Sequence, residues 1–359
     1  MAISNWVNVA RSYWWSKSPP YLIFQITSGC NSRCLTCFNW EKIGEHPSKE
    51  DLTLDEIEKI SRNYGRLLQL TLGGGEPFLR NDIDQICSIF NRYSSVQHIT
   101  IPTNALLPER VAAKVEAILK TCSLNYLRIG LSLDAIGEEH DRIRGVPGNY
   151  EKLVETYNAL VPLKKKFRNL GVEVSSVLSA LNCDSIMNTI DVVKKEFPHI
   201  DKHALVMIRG DARVAETKSV SPEKYREVIK YLSMENVSED EGKFIPRFFK
   251  AVFNLNTQMV YDDLKGNGWE ITCLAGEKLL IITSNGDVYP CEILGTKLGN
   301  LREYGYDVSS IMGLSDSKEV INKIKRDKCS CSFECAIHAS LIFDLKNFPR
   351  ILLKMIKSN

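Results

Sequence analysis

The sequence predicts the α/β class: a parallel sheet built from β–α units, open or curled into a barrel, with a smaller cysteine-rich unit behind it. Three observations carry this. Short apolar runs alternate with helix-period segments over most of residues 22–208, the pattern of consecutive βα units. The alternation stops after Gly210 and gives way to two helical segments and a hairpin-like stretch. Eight of the eleven cysteines belong to two groups, Cys30, Cys34 and Cys37 near the start and Cys273, Cys291, Cys329, Cys331 and Cys335 near the end. At roughly 150 residues per domain, 359 residues fit two domains or one barrel with an extension. Hydrophobic content of 44% and charged content of 25% exclude disorder as the dominant state. The net charge of +2, from 46 basic and 44 acidic residues, offers no general basic field for nucleic acid.

The elements follow in order. Residues 22–27 read as a strand. Residues 55–64 read as a helix introduced by Thr53, with Asp55 and Glu56 in its first turn. A strand at 67–72 ends at Gly73-Gly74-Gly75, and a helix at 83–90 precedes a strand at 97–102. Val111, Val115, Ile118 and Leu119 form one helical face. Strand 126–134, helix 150–165, strand 172–178, helix 186–197 and strand 204–208 complete six units, two short of a full eight-unit barrel. Residues 222–232 and 244–255 are helical, and a hairpin-like stretch begins at Ile271. The expected division is an N-terminal helical segment (1–20), a core (21–210), a helical linker (211–265), a cysteine-rich unit (266–336) and a C-terminal amphipathic helix (337–359).

No stretch reaches the ~18 apolar residues that a membrane span needs. The N-terminus has no secretory signal pattern. A cytoplasmic protein is expected, where disulfides are rare. Cys87, Cys122 and Cys183 stand among apolar residues and read as core positions. The other eight read as metal ligands.

Cys30-x3-Cys34-x2-Cys37 follows the first strand directly. Three thiolates so close can hold three irons of a cubane cluster and leave the fourth iron open. A zinc site completed by His46 is the alternative, although zinc sites favour paired Cys-x2-Cys elements. Gly74, Gly75 and Glu76 stand at the end of the second strand. Glycines there allow close backbone approach, and Glu76 sets a carboxylate beside it that suits an ammonium group.

With these motifs the chain resembles the radical S-adenosylmethionine (radical SAM) superfamily. The resemblance rests on Cys30-Asn31-Ser32-Arg33-Cys34-Leu35-Thr36-Cys37, Gly74-Gly75-Glu76-Pro77, Pro102-Thr103-Asn104, Ser132-Leu133-Asp134 and Glu139-His140-Asp141-Arg142-Ile143-Arg144-Gly145. It covers about residues 20–210. Many members carry an aromatic residue just before the third cysteine; here Thr36 holds that position and Phe38 follows the cysteine. The resemblance implies a partial (β/α)6, TIM-like barrel and a [4Fe-4S] cluster on Cys30, Cys34 and Cys37. It also implies SAM bound to the open iron, and reductive cleavage to methionine and a 5′-deoxyadenosyl radical that abstracts hydrogen from a substrate C–H bond. Phe38, Gly74, Gly75, Glu76, Asn104, Ser132 and Asp134 are the expected cofactor contacts.

Strand alternation supports a lumen. Leu127, Ile129, Leu131 and Leu133 share one face of the fourth strand; Arg128, Gly130, Ser132 and Asp134 share the other, with Ser132 and Asp134 at the C-terminal end where barrel sites are built. A strand-end cap is the alternative for these two. On the fifth strand Glu173, Ser175 and Val177 share a face. On the sixth, the face of His203, Leu205, Met207 and Arg209 is assigned to the lumen, because Ala204, Val206 and Ile208 suit helices better. Arg209 and Ser175 are then the candidate catalytic or substrate-contacting residues, Met207 lies beside them, and a salt bridge to Asp211 is the alternative for Arg209.

Cys273-x17-Cys291 frames a hairpin with Asn285-Gly286 at its turn, followed by Cys329-x-Cys331-x3-Cys335. This resembles the C-terminal SPASM or twitch extension of radical SAM enzymes. Only five cysteines are present, so one auxiliary [4Fe-4S] cluster is expected, on Cys273, Cys291, Cys331 and Cys335 with Cys329 as alternate. Structural zinc is the other reading.

About 20 residues precede the first strand, too few for a leader-peptide-binding domain, so a peptide substrate would need a separate partner. Trp6, Trp14 and Trp15 lie in this segment, and the C-terminus mixes apolar and basic residues. That end reads as a helix packed on the barrel or as one that makes peripheral membrane contact. The expected function is a radical SAM oxidoreductase acting by oxidation, epimerisation or bond formation. The alternatives are a peptide- or protein-modifying maturase and a non-catalytic metal-binding protein. No cobalamin-binding segment is visible. Expected partners are SAM, a substrate that is a small molecule, lipid-linked or a peptide, and an electron donor such as flavodoxin or ferredoxin.

Overall fold

A computed structural model of the protein describes residues 18–235 and 244–357. The helical segment expected over residues 1–20, with Trp6, Trp14 and Trp15, falls almost wholly outside the described residues. Strand β1 (Tyr21–Thr27) is buried along its whole length, as a strand covered on both faces must be. Helix α1 (Leu54–Tyr64) opens with a capping box: Glu56 N donates to Thr53 Oγ1 and Thr53 N donates to Glu56 Oε2. The alternation continues through β2 (Gln69–Gly74), α2 (Ile83–Tyr93), β3 (His98–Thr103), α3 (Pro108–Thr121) and β4 (Tyr126–Ser132). Then come α4 (Glu138–Arg144), α5 (Asn149–Lys166), β5 (Leu170–Leu178), α6 (Ile186–Glu196) and β6 (Lys202–Met207). The strands pair in parallel, β1 to β2 and onward to β6. This is the partial (β/α)6 barrel.

Beyond β6 come α7 (Pro222–Glu235), α8 (Phe244–Leu264), β7 (Leu279–Ile282), β8 (Asp287–Tyr289), β9 (Gly299–Asn300), α9 (Val308–Gly313) and α10 (Ser315–Arg326). The stretch expected as one amphipathic helix over 337–359 divides into α11 (Glu334–Phe343) and α12 (Phe348–Lys357). Strand β7 lies parallel to β1, register Tyr21↔Leu279, and the hairpin partner β8 is antiparallel to β7. The sheet therefore runs β6-β5-β4-β3-β2-β1-β7-β8-β9. The C-terminal region continues the barrel sheet from its β1 edge.

Alternation sorts the strand faces. Leu127, Ile129 and Leu131 of β4 are fully buried in the core shared with the helices. Arg128 faces the lumen and pairs with Glu173 of β5 at 3.0 Å. The expectation for β6 is overturned. His203 Nε2 bonds Ser176 Oγ at 2.8 Å, and Ser176 shares its face of β5 with Val172 and Val174 of the outer core. His203, Leu205 and Met207 therefore turn outward, and Met207 packs with Tyr225 and Val228 of α7. Lys202, Ala204 and Val206 turn inward. The longer apolar side chains of Leu205 and Met207 fill the helix side, leaving small Ala204 inside.

The continuity of the sheet makes a prediction. A chain ending at residue 265 loses β7 and exposes the edge of β1 with its buried apolar residues. It should be recovered mainly as aggregate, measured by soluble yield and size-exclusion profile. A monodisperse, soluble truncation would show that the barrel does not need that pairing.

Candidate functional site

The loop after β1 carries the three cysteines and is bound to neighbours through its backbone. Arg33 N and Leu35 N donate to the carbonyls of Arg144 and Ile143 of α4, and Cys30 N donates to Gly44 O. Arg213 N and Val214 N donate to the carbonyls of Cys37 and Leu35. From the β2 end, Glu76 N donates to Gly29 O at 2.9 Å. The packing there is too close for side chains: a Cβ on Gly75 would stand 1.9 Å from Gly29 O, and one on Gly74 2.4 Å from Thr27 O. Gly74 also holds φ +117°. These two glycines let chain approach chain. Gly73 has nothing within 4 Å of its Cβ position and opens on the cavity.

A cavity of about 300 Å³ lies over the strand ends. Cys30, Cys34, Cys37, Phe38, Gly74, Gly75, Glu76, Asn104, Ser132 and Arg209 all line it. Glu76 is buried, and each oxygen is held: Oε1 accepts from Phe78 N and Thr103 Oγ1, and Oε2 accepts from Asn104 N at 2.7 Å. Burial raises its pKa against these bonds. Asn104 Nδ2 donates to Asn31 Oδ1 at 2.7 Å and Ser32 Oγ at 2.8 Å, so it braces the cysteine loop as well as lining the cavity.

Two expected residues do not line it. Asp134 lies beyond the end of β4, where strand alternation no longer governs it. It is fully buried, pairs with Arg144 at 3.1 Å and accepts from Val177 N at 2.8 Å. Ser175 is partly buried between two lining positions, Ser132 across the ladder and Val177 along its own strand. Arg144 is a site residue that sequence reasoning missed. It lines the cavity, and its charge acts on Cys34 and Cys30. The signal is present in the Glu139–Gly145 motif: Gly145 at φ +67° fits under Arg33 O, where a Cβ would stand 2.6 Å away.

The three thiols fit a cubane with an open iron. Burial pushes the Cys30 thiol up to about 11 and raises that of Cys37, so binding iron must displace protons from them. His46 lines a neighbouring cavity, away from the three cysteines, and does not complete a site with them.

The second group differs from expectation. A cavity of about 180 Å³ is lined by Cys273, Cys291, Cys329 and Cys331, with Ile293, Leu294 and Ile324 as apolar walls. Leu294 N donates to Cys291 Sγ at 3.3 Å, and Trp269 Nε1 donates to Cys331 O at 2.9 Å. Four thiols around an apolar chamber fit one saturated cluster. Cys329, the expected alternate, is in this set. Cys335 is not; it lines the larger cavity with the first three cysteines. The reason is local: α11 begins at Glu334, after buried Phe333, so Cys331 and Cys335 do not share a helix face. Burial pushes the Cys335 thiol up to about 11, with Arg209, Glu292 and Tyr21 beside it.

Arg209 bridges the two regions. Its Nε and Nη2 donate to Glu292 Oε2 at 3.1 and 2.9 Å, Nη1 lies 3.6 Å from Glu334 Oε2, and the rings of Phe38 and Phe333 flank it. Its partners are thus Glu292 and Glu334, not Asp211, and two of its donors are engaged by Glu292 rather than left open to a substrate.

Comparisons with known proteins agree with this architecture. Residues 24–174 match the radical SAM superfamily, and residues 273–336 match SPASM, an iron–sulfur cluster-binding domain. The chain is 25% identical over 337 residues to the AdoMet-dependent heme synthase of Methanosarcina barkeri, covering 90% of this chain and 89% of that one. It is 33% identical over 124 residues to the GTP 3′,8-cyclase of Staphylococcus aureus, about a third of each chain. Two solved structures share the fold. Histidine-tagged anSMEcpe with bound AdoMet gives a TM-score of 0.61 at 16% identity, over 94% of this chain and 96% of that one. Streptococcus suis SuiB bound to S-adenosylmethionine gives 0.57 at 19% identity, over 87% and 70%.

The grouping of thiols is tested by iron content. Anaerobic reconstitution should load about eight irons per chain. Cys335→Ser should keep about eight and Cys329→Ser about four. The reverse pattern would return Cys335 to the ligand set.

Proposed function

We propose that this chain, a radical SAM superfamily enzyme with a SPASM iron–sulfur domain, is an oxidoreductase-type enzyme acting on a substrate held between its two cysteine groups. The observation that carries this is one cavity shared by the three-cysteine loop, Glu76, and a wall from the C-terminal region, Glu292 and Cys335. When bound on Cys30, Cys34 and Cys37, a [4Fe-4S] cluster with SAM supplies a 5′-deoxyadenosyl radical able to take hydrogen from an unactivated C–H bond. Cys273, Cys291, Cys329 and Cys331 would hold the auxiliary cluster.

The chain's own residues bind, orient and exclude water. Glu76, with both oxygens engaged, offers a fixed carboxylate to the ammonium group of SAM. Gly73 leaves its side of the cavity open for a ligand. Phe38 and Ser132 form walls of the same cavity. Asp134 acts as a positioning residue, because it holds Arg144 beside the three thiols. Arg209, with Glu292, closes the cavity towards the C-terminal region and keeps that wall in place.

A peptide-modifying reading has support of its own. A second cavity of about 330 Å³ adjoins the first across Gln25, Asn39, Ile43 and Gly74, which puts a second concave surface beside the first for a substrate longer than one cavity. SuiB, which shares this fold, has been solved bound to its precursor peptide SuiA. A one-electron donor of the flavodoxin or ferredoxin class completes the reaction. No described helix is long and apolar enough to cross a membrane, and eleven free cysteines suit a reducing compartment such as the cytoplasm.

With dithionite, the reconstituted protein should convert SAM to 5′-deoxyadenosine and methionine without added substrate, and Cys34→Ala should not. Glu76→Gln should raise the KM for SAM by about tenfold or more, the value of one charge-assisted hydrogen bond. SAM cleavage that survives in Cys34→Ala would remove the basis of the proposal.

A further inference from the structure

The barrel lumen below the cavity carries charges that the reaction proposed above does not use. Arg128, Glu173 and Lys202 face inward from the N-terminal halves of β4, β5 and β6, and α11 brings His338 to them. The head of α11 is fixed: Met207 N donates to Glu334 Oε1 at 2.6 Å, and Asn256 Nδ2 of α8 donates to Glu334 O at 2.9 Å. One turn further on, His338 comes under the charges of Lys202 and Arg128. Arg128 Nε lies 3.0 Å from Glu173 Oε1, yet the Arg128 side chain stays 40% exposed. Lys202 stands opposite Glu173 in the ladder. Its ammonium lies 4.8 Å from the centre of the Phe253 ring and makes no hydrogen bond or ion pair among the described residues. The ring nitrogens of His338 have no hydrogen-bond partner among them either.

Cationic groups thus outnumber carboxylates here. Asp201, the other carboxylate that acts on Glu173, pairs with Lys164 at 2.6 Å, and Glu292 and Glu334 stand with Arg209 at the strand ends. Burial lowers the pKa of Lys202, and the Arg128 charge adds to this against the pull of Glu173. Burial, with Lys202 and Arg128 adding to it, pushes His338 down to about 4. Like charges that face one another away from bulk water are costly unless an anion joins them. The way up to the cavity is lined by small groups. Inward-facing Ser132, Ser175, Ala204 and Val206 keep accessible surface, whereas Leu131, Val174 and Leu205 on the outward faces are buried; Gly130 adds no side chain. At roughly 3.3 Å per residue, Arg128 lies about 13 Å along β4 from Ser132 at the cavity. We propose that Lys202, Arg128 and His338 form an anion subsite in the lumen, and that the substrate carries a carboxylate or phosphate held there while its reacting C–H end lies in the cavity above. This rests on the reading above and names its substrate class. Anion binding is measured without SAM cleavage, so failure of the subsite and failure of the radical chemistry are distinguishable.

The test uses the full-length reconstituted protein without SAM, titrated calorimetrically with pyrophosphate and with citrate at a fixed ionic strength of about 0.15 M, where long-range attraction is screened. The wild type should bind at a single site, and the tighter of the two anions names the acidic group. Lys202→Met should weaken that binding by about tenfold or more, the value of one charge-assisted hydrogen bond. Without anion it should melt no lower than the wild type, because it leaves Arg128 and Glu173 as a pair. A Lys202 that only balances Glu173 predicts the opposite, a lower melting temperature with anion binding unchanged, and that result would overturn the proposal. His338→Gln is the milder variant and should weaken binding by about threefold or more. Selenate diffused into crystals should give an anomalous peak within hydrogen-bond distance of Lys202 and Arg128. A wild type that binds neither anion, or selenate found only elsewhere, would also overturn it.

Discussion

A loop that carries three cysteines between a strand and a helix has no ladder of its own, so its shape depends on the hydrogen bonds that other segments lend its backbone. Here those segments come from four places in the chain: Gly44, the end of β2, α4 and residues 213–214. Each tie sets a requirement on sequence. Gly75 must lack a side chain because Gly29 O occupies that space, and Gly145 must lie under Arg33 O. The strands bring these segments together. Glu76 and Asn104 then follow β2 and β3 as a rigid pair, with Asn104 bonded to the cysteine loop and to Glu76 at once.

The second constraint is the join between the barrel and the C-terminal region. Backbone pairing of β1 with β7 makes them one sheet. At the strand tops Arg209 connects the end of β6 with Glu292, next to Cys291, and with Glu334 at the head of α11. These are partly buried charges, and removing one partner of such a set leaves an uncompensated charge. Burial pushes the Glu334 carboxyl up to about 7 even with Arg209 beside it. Glu292 lines the cavity and is next in sequence to Cys291 of the four-thiol chamber.

Much of this is legible in the sequence. Six β–α units follow from apolar periodicity, because each strand face must choose between helices and lumen. The lumen face of β4 is plain, since Leu127, Ile129 and Leu131 against Arg128, Gly130 and Ser132 leave no ambiguity. On β6 both faces are apolar, and the choice between Met207 and Val206 depends on packing against α7, which alternation does not contain. Alternation carried on to Asp134 runs past the strand: β4 ends at Ser132, and the chain turns so that Asp134 meets Arg144. Spacing alone groups Cys335 with Cys331, but the start of α11 falls between them. The bond of Arg209 to Glu292 spans 83 positions of sequence, and no local pattern reports it.

The central claim is that one cavity is bounded by a three-thiol loop and, on the C-terminal side, by Glu292 and Cys335, while a separate chamber gathers the other four thiols. The most direct measurement is a crystal structure of the anaerobically reconstituted protein with SAM, with the irons located by anomalous scattering. The account predicts iron at Cys30, Cys34 and Cys37 with SAM beside Gly73 and Glu76. It predicts a second group of irons on Cys273, Cys291, Cys329 and Cys331, and no metal on Cys335. Iron bound to Cys335, or SAM away from Glu76, would contradict it.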